Sequence, residues 1–285
     1  MTLLDDPRLT ALAGPLLDDP DTDWDGAREL TYALHQCVRY TYSAPARDIR
    51  QRLMLVPPAR HGDQRRIAYG VTADAANARR RERVDAFGNV VTDFRMQAPT
   101  TSIVFEAWAL VTRRPAQCPQ SVTTARHFMR PSRLTEPDAY LTDVSASLGG
   151  GRIPDLALAE AICDWVWRAL RYEHDATSVQ TTAANAAALG RGVCQDFAHV
   201  MVTLCRLAGM PARYVSGHLL GEGGSHAWVE VLLPDPQRSR VRVAHAFDPT
   251  HGTRTGSRHL TVAVGRDYED VAPLSGTCIA PVAGT

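Results

Sequence analysis

Apolar and polar positions follow two different rhythms along this chain of 285 residues. From Arg28 to Thr112 the pattern is short, β-branched and aromatic. Residues 32–42 and 50–56 have strand composition, and Pro57-Pro58 closes the second. Asp85-Ala-Phe-Gly-Asn reads as a turn feeding a strand to Val91, and residues 101–111 read as a further strand. Several short strands between turn signals predict a β-sandwich-like domain over 27–115. Residues 1–26, rich in Asp and Pro, read as a leader. Residues 116–153 carry many Pro, Ser, Thr and Gly and include Gly149-Gly150-Gly151 near their end, so a linker region is expected there, with room for local irregular helices in part of it.

From residue 154 the rhythm changes to a helical one. Asp155 is the expected N-cap of a helix whose stripe is Ile162, Trp165, Val166 and Ala169. A second helix begins near Cys194, carries Phe197, Val200, Met201, Leu204 and Leu207, and stops at Gly209 and Pro211. Strands are expected at 212–219, 226–233 and 241–247, with a turn at 234–236. Helices first and an antiparallel sheet after make 154–285 an α+β domain.

Hydrophobic residues make up 45% and charged residues 22%, enough apolar mass for real cores. Net charge is zero, so neither nucleic acid nor a membrane is expected as the principal partner. The run Arg79-Arg80-Arg81 reads as a solvated loop or strand edge. Every basic residue is Arg, so the chain cannot crosslink itself through lysine amines. The N-terminus lacks the basic and apolar regions of a secretory signal, and no stretch is long enough to span a bilayer. The six cysteines are scattered without CxxC pairs, which points to reduced thiols in a cytoplasmic setting.

Among those cysteines, Cys194 sits where a Gly-rich loop (Gly190, Gly192) becomes a helix. The unpaired N–H groups and positive dipole end of a helix start favour a thiolate over a thiol. The glycines leave the approach to sulfur open and let backbone amides face a developing oxyanion. Cys205, inside the apolar stripe of the same helix, is the structural counterpart. His226 opens a strand after Gly221-Glu-Gly-Gly-Ser, and Asp248 ends the next strand. If the two strands are antiparallel neighbours, the start of one lies beside the end of the other. Six Cys and ten His make some ordered Cys–His–Asp triple certain by chance. Placement is what singles out Cys194 as nucleophile, His226 as base and Asp248 as orienter.

The other candidates have structural readings. Asp196 can tune the helix N-terminus or bind a substrate amine, and a structural salt bridge to an arginine such as Arg213 is the expected role. His199 lies roughly 140° round the helix from Cys194 and is read as structural. Cys163 and Trp167 are expected in or near the core, and Trp228 as a cleft wall or core anchor. His218, His245 and His251 fall near the presumed cleft rim, with His218 a candidate substrate contact. No ligand pair has zinc-motif spacing and no phosphate loop or dinucleotide fingerprint is present, so neither metal nor cofactor is expected.

Gly192-Val-Cys-Gln-Asp-Phe-Ala, Gly209-Met-Pro-Ala-Arg-Tyr-Val-Ser-Gly, His226-Ala-Trp-Val-Glu-Val and Phe247-Asp-Pro-Thr resemble the bacterial transglutaminase-like cysteine enzymes. The resemblance extends to residues 264–277 and back to Tyr40-Thr-Tyr-Ser-Ala-Pro and Asp85-Ala-Phe-Gly-Asn, which look like the β-rich N-terminal domain accompanying that core. It implies a papain-like core with Cys194, His226 and Asp248 in the three roles above, and leaves the second oxyanion donor unassigned. The implied chemistry is acyl transfer through a thioester, on a peptide, protein or small amide. Water as second nucleophile gives hydrolysis, the expected outcome, and an amine gives a transglutaminase. A non-catalytic binding or assembly module and a metal-dependent hydrolase are the rival readings. Oligomeric state is not legible.

Overall fold

The computed structural model describes residues 23, 24, 26–75, 77–114, 121, 122, 125–149 and 153–279. Most of the expected leader, Cys118 and Gly150-Gly151 lie outside the described residues. Strands dominate and helices are few. The chain divides into two compact units, one running to Ala116 and resuming at Ala272, the other spanning Gln117–Val271.

The first unit is a seven-stranded sheet. It comprises β1 (Leu30–Leu53), β2 (Arg60–His61), β3 (Gln64–Ala73), β4 (Arg79–Val84), β5 (Val90–Met96), β6 (Thr100–Arg113) and the chain's last strand, β15 (Leu274–Ile279). Their order is β2-β3-β6-β1-β5-β4, with β15 also paired to β1. The two strands expected at 32–42 and 50–56 are one strand of 24 residues, because in–out alternation continues through the segment between them. Register shifts at Thr41/Ala46 and Arg47/Arg50, with Asp48 at φ +49°, hand β1 from β6 to β5 and β15. Bulges bend and twist a strand, which permits such a change of partner. Ile49, Leu53, Phe94 and Met96 from one half meet Val71, Ile103 and Phe105 from the other in a shared core. Phe94 and Phe105 lie 5.4 Å apart there, a tilted pair adding about 0.5–1.5 kcal/mol beyond its buried area. The expected turn at Asp85 is present: Asp85 Oδ1 accepts from the N–H groups of Phe87 (2.8 Å) and Asn89 (2.9 Å), and Gly88 takes φ +91°.

The second unit packs helices on an antiparallel sheet. Its helices are α1 (Ala139–Gly149), α2 (Leu156–Ala169), α3 (Ala183–Leu189), α4 (Cys194–Leu207) and the single turn α5 (Tyr268–Val271). Its strands are β7 (Ser121–Val122), β8 (Arg171–Tyr172), β9 (Arg191–Gly192), β10 (Ala212–Leu219), β11 (His226–Asp235), β12 (Arg238–Asp248), β13 (Thr253–Arg254) and β14 (His259–Gly265). The main sheet runs β13-β12-β11-β10-β14, with β7 on β12, while β8 and β9 form a separate parallel pair. Helix α4 is buried on nearly every side: Phe197, Val200, Met201, Leu204 and Cys205 share a core with α1, α2, α3 and the sheet residues Tyr214, Val229 and Phe247. Asp155 caps α2 as expected, accepting from Leu158 N at 2.8 Å, and Gly209 closes α4 with φ +79°.

The segment expected to be a linker behaves differently. Its described part folds into 3₁₀ turns at Ala125–Met129 and Arg133–Thr135 and into α1, all within the second unit. The cause is a buried cation at the end of α4. Arg206 donates to the carbonyls of Phe128 (2.8 Å), Ala212 (3.0 Å) and Arg266 (2.7 Å) and to Thr135 Oγ1 (2.7 Å). That guanidinium satisfies acceptors from both 3₁₀ turns while facing the negative end of the helix dipole. At the other boundary, residues 274–279 belong to the first unit through β15, where the sequence reading had carried the second domain to residue 285. Among the described residues no helix is long and apolar enough to cross a membrane.

Candidate active site

The loop before α4 is built to hold a helix start open. Gly190 ends α3 at φ +62°, and β9 then pairs with β8 in parallel. Val193 is extended at the N-cap position, so Cys194 is the first helical residue, where N–H groups lack intrahelical acceptors. Asp196 closes the turn: its Oδ2 accepts from Val193 N (2.8 Å) and Thr177 Oγ1 (2.6 Å). A Cβ on Gly192 would lie 2.4 Å from that same oxygen, so only glycine admits this closure. Asp196 is therefore a local clamp and not the partner of Arg213, which forms a buried cross-strand ion pair with Glu230. Burial pushes the Asp196 carboxyl up, against the lowering effect of hydrogen bonds from Thr177, Val193 and its own backbone, and its Oδ1 is buried with no partner among the described residues.

Antiparallel pairing of β11 with β12 brings the start of one beside the end of the other, as the sequence pattern suggested. His226 Nε2 donates to Asp248 Oδ2 at 2.8 Å, and the same ring is hydrogen-bonded to Cys194. Cys194 is partly exposed, His226 is buried, and Asp248 is fully buried. Burial alone would lower the His226 pKa. The hydrogen bonds to Asp248 and Cys194 and the charges on those groups prevail and push it up to about 10. Burial would raise Asp248, but hydrogen bonds from His226, His259 and His251 hold it well below the usual carboxylate range. The arrangement is thus poised as an imidazolium held between a carboxylate and a sulfur.

Asp248 is more heavily solvated by the protein than the sequence suggested. Its Oδ2 also accepts from His251 Nδ1 (2.8 Å) and His259 Nε2 (3.1 Å), and its Oδ1 accepts from Thr250 N (3.0 Å). His251 reaches in turn toward Glu222 in the Gly221–Ser225 loop, with Nε2 3.3 Å from Oε1. The sequence reading placed His251 only at a rim and passed over His259. The available signal was the alternating run His259-Leu-Thr-Val-Ala-Val, which β14 forms beside β10. Trp228 is buried and packs edge-on against His259 at 5.3 Å, a wall under the triad. Because Gly217 lacks a Cβ, the Trp228 ring can lie where such an atom would be 2.3 Å away.

The remaining candidates separate as follows. His199 is buried, accepts from Tyr268 N at 3.1 Å, and burial pushes its pKa down to about 4, which fits a neutral structural ring. His218 contacts the Gly224 carbonyl (3.3 Å) and His245 contacts Arg254 (3.2 Å); neither meets the triad. Cys163 and Cys205 are buried thiols, and burial pushes Cys163 up to about 12 and Cys205 higher still. Trp167 departs from its expected core position: it is 47% exposed, lying over Gly252. Metal-ligating atoms of His226, Asp248 and His251 lie within 4.8 Å of one another. A cation held there would take His226 and Asp248 out of their mutual hydrogen bond, so the same atoms cannot serve both purposes at once.

Residues 142–243 match the model of the transglutaminase-like superfamily, and residues 32–112 match that of the bacterial transglutaminase-like N-terminal region. An uncharacterized protein of Mycobacterium leprae is 30% identical over 259 residues, covering 83% of this chain and 89% of that protein. An uncharacterized protein of Mycobacterium tuberculosis is 27% identical over 244 residues, covering 75% of this chain and 76% of its own length. Among solved structures, a "putative cysteine protease" from Cytophaga hutchinsonii shares the fold, with a TM-score of 0.71 at 19% identity over 91% of this chain and 93% of that one.

Proposed function

We propose that this chain, which belongs to the transglutaminase-like superfamily, is a thiol-dependent acyl-transfer enzyme that hydrolyses an amide or peptide bond through a thioester on Cys194. The observation that carries the reading is the His226 ring, bonded to Asp248 at 2.8 Å and hydrogen-bonded to Cys194 as well. In this reading the second unit is the papain-like α+β core and the first a β-sandwich-like accessory domain.

The thiolate attacks the carbonyl carbon, and the carbonyl electrons move onto oxygen, where the Cys194 backbone N–H can receive them. As the tetrahedral species collapses, the His226 imidazolium gives its proton to the departing nitrogen, the C–N bond breaks and an amine or ammonia leaves. Neutral His226 then takes a proton from water, whose oxygen attacks the thioester. The C–S bond breaks, a carboxylic acid leaves and the thiolate–imidazolium pair is restored. Asp248 holds the imidazole in orientation throughout and itself exchanges no proton.

The C. hutchinsonii protein of this fold, a "putative cysteine protease", favours hydrolysis over transfer to an amine. An amine in place of water would give transamidation with the same first half. A fold that only binds its ligand is the remaining alternative, and an intact triad argues against it. The substrate class is a peptide, protein or small amide. Cysteines that are free, including exposed Cys37 and Cys278, suit a reducing compartment such as the cytoplasm. Incubation with candidate amides and intact-mass measurement tests the proposal. A thioester adduct on Cys194 that is absent from Cys194→Ala and released by water supports it. Turnover without any dependence on Cys194 overturns it.

A further inference from the structure

Away from the triad, the first unit carries a strong local imbalance of charge. Strands β4, β5, β1 and β15 lie side by side, and one face is read off their alternation and register. One cross-strand row is Arg79, Arg95, Arg50 and Thr277; the next is Arg81, Asp93, Arg52 and Ser275. Arg83 follows on β4. This face therefore holds Arg50, Arg52, Arg79, Arg81, Arg83 and Arg95 against a single carboxylate, Asp93, in a chain whose net charge is zero. All but Arg83 are exposed.

Two features set this face apart from ordinary solvated charge. Arginines directly opposite one another on neighbouring strands repel, and the first row places three in succession with no carboxylate between them. Charge on an edge strand guards against unwanted pairing, which would account for β4, but β1 and β5 are interior strands. The second row also displays the chemistry that the first lacks. Asp93 lies between strands, with Oδ1 3.4 Å from Arg52 Nε and Oδ2 3.3 Å from Arg83 Nε. Arg95, two residues along the same strand, stands where a second carboxylate would complete the pattern. Arg50, Arg79, Arg81 and Arg95 make no ion pair among the described residues. An open depression of about 510 Å³ lies over this patch, lined by Arg50, Arg52, Arg83, Arg95, Ser275 and Thr277 among others.

We propose that this face binds an acidic polypeptide segment, whose carboxylates take the position over Arg79, Arg95 and Arg50 that Asp93 takes in the next row. Guanidinium forks match carboxylates bidentately, and the arginines along β4 recur at about 7 Å, the spacing of alternate side chains on an extended peptide. The β5 and β1 positions within these rows are Arg or Asp, and Phe94, the aromatic residue lining the depression, is buried in the core and gives nucleic-acid bases no platform for stacking. This inference is independent of the thiol chemistry.

The test is fluorescence anisotropy of a labelled deca-glutamate peptide with the full chain, at low and raised salt, beside labelled oligo-dT and anionic vesicles. Arg50→Glu with Arg95→Glu is expected to weaken peptide binding at least tenfold. Arg60→Glu with Arg65→Glu, an equal charge change on β2 and β3, is expected to leave it within twofold. Arg50→Gln with Arg95→Gln repeats the test with a gentler change, and thermal melting confirms that each variant folds. No peptide binding by the wild type, equal loss in both reversed pairs, or tighter binding of oligo-dT or vesicles than of peptide would each overturn the proposal.

Discussion

Replacing Asp248 by Asn keeps the shape of the buried acceptor and removes its charge. In the wild-type protein His226 is pushed from its ordinary 6.5 up to about 10, a difference worth roughly 5 kcal/mol in favour of the imidazolium. Burial of the ring opposes that stabilisation, so the hydrogen bonds and charges of Asp248 and Cys194 supply more than the net amount. With the Asp248 charge gone, burial is opposed only by Cys194 and by the half-exposed Glu222 carboxylate 3.6 Å from His226 Nδ1, so His226 is expected to titrate well below its wild-type value. NMR titration of the His226 ring reads this directly. Turnover at neutral pH should fall by roughly 10²- to 10⁴-fold, the usual range for losing an acid–base catalyst in its working state. The linkage has a definite sign. A histidine whose pKa is raised on folding contributes stability fully below about 6.5, and that contribution is lost as pH rises toward about 10. Asp248, held low, contributes stability that is lost as pH falls through its depressed folded-state value. Denaturation midpoints of wild type and Asp248→Asn should therefore differ most between about pH 3.8 and 6.5, the ordinary values of the two groups, and draw together as pH rises toward about 10. A wild-type His226 titrating near 6.5, or an Asn variant that leaves it unmoved, would refute this reasoning.

Two further outcomes follow from the same geometry. Arg206→Met would take the guanidinium donor from the carbonyls of Phe128, Ala212 and Arg266, while Thr135 Oγ1 would keep its bonds to Ser132. At about 1–3 kcal/mol for each such group, a loss of at least about 3 kcal/mol is expected, measured by urea denaturation. Activity should survive EDTA, whereas added Zn²⁺ should inhibit reversibly by engaging His226, Asp248 and His251. Loss of activity on chelation would favour the metal-dependent hydrolase.

The parts of this account legible in the chain were those governed by neighbours in sequence. The Asp155 cap, the Asp85 turn, the Gly209 stop and strand 212–219 all rest on local rules, and they lie where those rules put them. The closeness of His226 and Asp248 was legible because a short hairpin dictates which strand ends meet. What local rhythm could not show was pairing at a distance. The partner of β1 at residues 274–279 lies more than two hundred residues away, so it left no periodic trace. The docking of 125–135 depends on Arg206, a charged side chain whose burial is decided by carbonyls from three other segments. His259 escaped notice because its role depends on β14 lying beside β10, while Asp196 found Thr177 and a backbone amide closer than any arginine. Trp167 belongs to an amphipathic helix but sits past the edge of its buried stripe.

Site-resolved alkylation at pH 6 tests the central claim most directly, because the chain carries its own controls. Iodoacetamide labelling of the five free cysteines among the described residues can be followed together by peptide mass spectrometry, with Cys37 and Cys278 as exposed controls and Cys163 and Cys205 as buried ones. Cys194, at the start of α4 and hydrogen-bonded to His226, should react at least tenfold faster than Cys37 or Cys278, and His226→Ala should abolish the advantage. Labelling of Cys194 no faster than at those two exposed thiols, or an advantage that persists without His226, would contradict the assignment of Cys194 as the nucleophile.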